Sequence, residues 1–161
     1  MNPSHAIATN AFAEVARGFC AWCESPSLGT NREAIASGWL AKLYAAALLL
    51  PHTNSESSDG LPELPEGPAN RARQNLAAFN GFYYKEFFDP NPTLAEEFVI
   101  GDVGDDLLDT YKDVRAGLVL FERGEPNEAL WHWAFLHQVH WGRHAVGGLF
   151  ALHCMSIVPR G

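Results

Sequence analysis

The sequence predicts an all-α fold: an antiparallel bundle of about five helices, with a long C-terminal helix and a hairpin between the fourth and fifth. Three observations carry this. Apolar residues recur at steps of three and four rather than two. Helix-capping residues stand in front of most periodic segments. β-branched residues are scattered and never alternate over a run. The length of 161 residues and apolar fraction of 47% suit one globular domain over 1–161 with its own core.

The first helix is predicted over about 3–24. Asn2 can cap it, and Pro3 takes the first helical position, where a missing N–H costs nothing. Phe12, Val15, Phe19 and Trp22 form its stripe, and "SPSLG" ends it. The second helix is predicted over about 31–50. Thr30 and Glu33 fit a capping box, Ile35, Trp39, Leu43 and Leu50 follow at helical steps, and Pro51 stops the run. Residues 51–69, "PHTNSESSDGLPELPEGPA", read as a proline-rich surface loop. A third helix should start at Asn70 and run to about 80. "NGFYYKEFFDPNP" suggests a short helix and a turn, and residues near 97–100 an extended stretch.

The fourth helix is predicted over about 103–123. Asp102 is its N-cap, Asp105 and Asp106 place negative charge at the positive end of the dipole, and Gly124 ends it. The fifth should begin near Pro126 and reach about 154, with Gly142 and Gly147–Gly148 allowing a bend.

That last segment contains "WHWAFLHQVHWGRHAVGGLFALH", with five of the seven histidines. On a helical wheel, His137, His140 and His144 fall in a sector about 60° wide, and apolar side chains fill most of the rest. His140 and His144 stand at i and i+4, a spacing that lets two imidazoles reach one metal ion. The glutamate that marks zinc proteases is replaced by Trp141, which rejects that reading. In "GDVGDDLLDTYKDV", Asp102, Asp106, Asp109 and Asp113 share one face, a pattern that fits a solvated acidic surface.

A hairpin turning near residue 125 makes a sharper reading available. It sets Asp113 level with His137, Asp109 beside His140, and Asp106 level with His144. The result is either a polar seam of His137, His140, His144 and Asp113 held by hydrogen bonds, or a divalent-metal site of His140, His144, Asp106 and Asp109. The first is the main expectation, with no cofactor. The second is the alternative, a metal-dependent helical-bundle enzyme.

Other motifs yield less. Cys20 and Cys23 in "FCAWC" lack a second ligand pair, apart from His153–Cys154, and read as buried thiols. No phosphate-binding glycine loop and no G-x-S-x-G elbow occur, and Glu86, Glu96 and Glu97 have no evident partners. With no catalytic constellation in view, the function read is a binding, interaction or structural module with a protein or small-molecule partner. A homodimer would suit the apolar fifth helix. The net charge of −8 without a basic stripe argues against nucleic acid and anionic membranes. Three cysteines and an N-terminus without a signal-peptide pattern point to a cytoplasmic setting.

The blocks "FFDP", "GDDLLDTYKDVRAGLVLFERG" and the histidine stretch together resemble the bacterial domain of unknown function 5063 family. The likeness is good over about 85–153 and looser at "GFCAW" and "LAKLYAAALLLP". It implies an all-helical domain without an assigned activity. His140, Trp141, Gly142, His144, Trp131, Trp133 and Phe135 match the family pattern, as do Asp105, Asp106, Asp109, Tyr111 and Asp113. His132 and His137 depart from it. Ala134 and Gln138 stand where the family tends to carry Arg and Glu, so an i, i+4 ion pair is absent here as a unit.

Overall fold

The computed structural model describes residues 2–57 and 60–157; residues 58–59 of the proline-rich loop and both extreme ends of the chain lie outside the described residues. The chain is mostly helical: α1 (Pro3–Cys23), α2 (Arg32–Ala47), α3 (Glu66–Leu76) with a 3₁₀ turn after it (Ala77–Phe79), β1 (Tyr83–Glu86), β2 (Val99–Asp102), α4 (Val103–Glu122), α5 (Pro126–Val139) and α6 (Trp141–Ile157).

The caps at two helices form as their sequences require. Asn2 accepts from the His5 amide at 2.8 Å, and Asp102 accepts from the Gly104 amide at 2.8 Å. Each satisfies a donor that the first helical turn leaves without an intrahelical partner. The Thr30–Glu33 box does not form. Gly29 turns the chain at φ +76°, Asn31 becomes the N-cap without a side-chain bond, and Glu33 sits in the first turn. The second helix stops at Ala47, and its inward face is Ala36, Leu40, Leu43 and Ala47 rather than the stripe through Ile35. The third helix begins at Glu66, four residues before Asn70. Pro68 falls in its first turn, where its missing N–H has no helical acceptor to lose.

Two corrections bear on function. The all-α expectation gives way to a mostly helical fold with a two-stranded antiparallel sheet, Tyr83 opposite Asp102 and Glu86 opposite Val99. "YYKE" is therefore a strand, where a short helix was expected. Residues 99–100, in the stretch read as extended, lie in its partner. The long C-terminal helix is in fact two. His140 ends α5 with φ −146° and ψ −87°, and α6 starts at Trp141. Gly142 permits the break, since a Cβ there would lie 2.1 Å from the His137 carbonyl oxygen.

α4 packs on α1, α3, α5 and α6, while α2 lies against α6. The core joins Phe12 and Phe19 of α1, Leu40 and Leu43 of α2, Leu107, Tyr111 and Val114 of α4, and Trp133 and Trp141. Both tryptophans are fully buried and keep their N–H groups bonded, Trp133 to the Val114 carbonyl at 3.0 Å and Trp141 to the Trp133 carbonyl at 3.2 Å. Among the described residues, no helix is long and apolar enough to cross a membrane.

Candidate functional site

The acidic face of α4 is not a solvated surface throughout. Asp106 is 4% exposed, and its carboxylate is held from two sides. The Tyr84 hydroxyl donates to Oδ2 at 2.7 Å, and His144 Nδ1–H donates to Oδ1 at 2.9 Å. A carboxylate only accepts, which assigns the imidazole proton to Nδ1. Two turns along α4, Asp113 accepts twice: His140 Nδ1–H reaches Oδ2 at 2.6 Å, and His132 Nε2–H reaches the backbone carbonyl at 3.1 Å. Between the two carboxylates, Asp109 accepts from Lys112 Nζ at 2.9 Å through Oδ1 and turns Oδ2 toward His144 Nε2, 3.9 Å away.

Close approach of small residues positions Tyr84. A Cβ at Gly101 would fall 2.6 Å from its ring, and one at Gly147 2.3 Å from its hydroxyl. The phenol thus passes between the sheet and α6 to reach a carboxylate on α4.

The pairing agrees with the level arithmetic at Asp106–His144, and Asp109 does lie near His140. It differs at Asp113, which takes His140 instead of His137. The wheel that grouped His137 with the others assumed an unbroken helix, and the break at His140 turns it away. The His137 ring instead lies 4.8 Å from those of Tyr44 and Trp141.

The imidazoles differ electrically. The hydrogen bond to Asp106 raises the His144 pKa above the usual histidine value; Asp106, Asp109 and Glu86 add to it, and burial opposes. Burial lowers His132, though its carbonyl bond and the Asp113 charge work the other way, and burial lowers His137. Burial and then the bond to Asp106 push the Tyr84 phenol far up, so it stays a donor.

A second feature lies against the same strand, β1. A cleft of about 720 Å³ opens between Tyr44, the hairpin residues Tyr84–Phe88, His137 and Gln138 of α5, and Arg143, Val146 and Phe150 of α6. None of Asp106, Asp109, Asp113, His140 or His144 lines it. Arg143 stacks on Phe88, 3.7 Å from the ring centroid. Its Nη2 is 3.3 Å from Glu86 Oε2, close enough for charge attraction but not aligned as a hydrogen bond. His137 Nε2 is likewise buried without a hydrogen-bond partner.

The sequence does not single out Tyr84 or Arg143, and it offers Glu86 only as an acid or base without a partner, which the structure supplies in Arg143. The only sequence signal was the aromatic density of "FYYKEFF". Glu96, read as unpaired, accepts from the Phe88 and Asp89 amides at 3.1 and 2.8 Å, bracing the loop between the strands. Cys20 and Cys23 are buried, unpaired thiols whose pKa values burial raises.

Fold and site together define a helical domain with an appended hairpin and a carboxylate–imidazole seam. The chain belongs to the family described as Domain of unknown function (DUF5063), whose model matches residues 4–157. Among solved structures it is similar to the crystal structure of protein BF1032 from Bacteroides fragilis, with a TM-score of 0.70 and 22% identity, over 91% of this chain and 93% of that one. At that identity the likeness shows the fold alone. The curated proteins give no match.

Proposed function

We propose that this protein is a binding module, and that its ligand is a small amphipathic molecule carrying an acidic group, held in the 720 Å³ cleft. One observation carries the reading: two buried polar atoms without hydrogen-bond partners, His137 Nε2 and Arg143 Nη2, belong to residues lining the same cleft. Buried polar atoms are satisfied in most folds; His137 Nε2 lacks a hydrogen bond and Arg143 Nη2 has only the unaligned Glu86 carboxylate, so a ligand in the cleft that both residues line would complete the network. A guanidinium suits a carboxylate or phosphate, and the walls of Tyr44, Phe87, Phe88, Val146 and Phe150 suit an apolar or aromatic body. The fold in this reading is an antiparallel bundle with an α4–α5 hairpin, supported by the bonds from His132 and Trp133 to the carbonyls of residues 113 and 114. The unpaired thiols support a cytoplasmic setting.

The test is a calorimetric and thermal-shift comparison of aryl and alkyl carboxylates with their amides. Acids should bind better than amides, Arg143→Ala should remove that preference, and Val146→Trp should block both. Equal binding of acids and amides, or binding indifferent to both substitutions, would sink the reading.

A further inference from the structure

We propose that Asp109, His140 and His144 form a binding site for one divalent first-row transition-metal ion, separate from the cleft. The three residues come from three places in the fold: Asp109 from the middle of α4, His140 from the α5–α6 junction and His144 from the first turn of α6. One donor atom from each lies within 4.8 Å of the other two. Around a tetrahedral zinc such atoms stand about 3.3 Å apart, so the donors would draw in by up to about 1.5 Å on closing around an ion.

The orientation of the imidazoles is the stronger argument. His140 and His144 each spend Nδ1 on a carboxylate, Asp113 at 2.6 Å and Asp106 at 2.9 Å. That leaves Nε2 on each ring as the free ligand atom, its lone pair fixed by the tautomer. Metal-binding histidines characteristically donate their other ring N–H to a carboxylate, which orients the ring and makes it more basic. Here two imidazoles carry that support at once, and Tyr84 braces one of the supporting carboxylates.

Asp109 Oδ2 and His144 Nε2 face each other at 3.9 Å, too far for a hydrogen bond and suitable for an ion between them. The rings of His140 and His144 are 4.8 Å apart at 72°, edge to face rather than stacked. Asp106, Asp109 and Asp113 surround the position with carboxylates, and Lys112 is the cation bound there, on the other oxygen of Asp109. Two imidazoles and one carboxylate suit zinc, cobalt or iron(II) better than magnesium or calcium, which prefer all-oxygen sites. Three protein ligands would leave coordination positions to solvent.

Protein without a polyhistidine tag, stripped with chelator, is titrated with Zn²⁺ by calorimetry and with Co²⁺ by visible absorption. The expected result is one equivalent bound at about 10 µM or tighter, with the intense visible bands of a low-coordinate cobalt site. Asp106→Asn should weaken zinc about ten- to a hundredfold without changing the stoichiometry, since it removes an orienting group and not a ligand. Asp109→Asn, His140→Ala and His144→Ala should each weaken it more, while His153→Ala leaves it unchanged. Circular dichroism checks that each variant is folded. The half-exposed Asp109 and His140 keep the test open if His144→Ala fails to fold. Absence of a one-to-one complex, or a complex that persists in Asp109→Asn and His140→Ala, would overturn the proposal. Either result leaves the cleft reading untouched.

Discussion

His132 and His137 lie on α5, a few residues before His140 and His144, yet the two pairs live in opposite electrical environments. His132 is 1% exposed and bonds a neutral backbone carbonyl, while His137 sits against aromatic rings. Burial holds both toward the neutral form. His140 is exposed and His144 half-buried, and each meets a carboxylate. One residue type thus serves as a packing element on one side of the junction and as a hydrogen-bond partner of a carboxylate on the other. The partner decides which: a carbonyl rewards either form weakly, whereas a carboxylate rewards the cation or a bound metal strongly.

The largest effect should come from the packing side. His132→Ala removes a fully buried ring and leaves the Asp113 carbonyl without its bond, and should cost about 3 kcal/mol by urea unfolding. A cost under about 1 kcal/mol would mean that the ring is replaceable by water and that the contrast is overdrawn. Next, Asp106→Asn should cost about 2 kcal/mol, because a nearly buried carboxylate with two donors becomes a neutral amide. Changing the other partner, His144→Gln, should leave the Tyr84–Asp106 bond intact and cost less.

The smallest and most diagnostic effect is pH dependence. His144 has a raised folded-state pKa, so its contribution is complete below the unfolded value of 6.5 and is lost as pH rises through the folded value. His132 and His137 have lowered values, so their contributions are complete above 6.5 and are lost as pH falls through the folded ones. Stability measured from about pH 8 downward should therefore first rise, then fall. His144→Gln should remove the rise and keep the fall. A fall that vanishes in that variant would show that the two groups do not act independently.

Much of α4 could be read directly. The Asp102 cap, the first-turn acids and the apolar positions Leu107, Tyr111 and Val114 all sit within one continuous helix, where local rules suffice. The Asp106–His144 pair was legible in a different way, as equal distances from the short turn between α4 and α5. The hairpin was not: β1 and β2 are separated by a loop at residues 87–98, and pairing between distant segments leaves no local period. Tyr84 was hidden with it. The division of α5 from α6 was also hidden. Glycines at 142, 147 and 148 announced some irregularity, but the break falls at His140, and only the contact between Gly142 and the His137 carbonyl explains its place.

Tyr84 also supplies an optical signal. Its phenol cannot lose a proton without setting a second negative charge against Asp106, so its tyrosinate absorbance is withheld while the ring remains in place. The missing side chains at Gly101 and Gly147 leave it room there. An alkaline spectrophotometric titration, with Tyr84→Phe as the blank, would follow the departure of the hairpin from the helices in real time without an added dye.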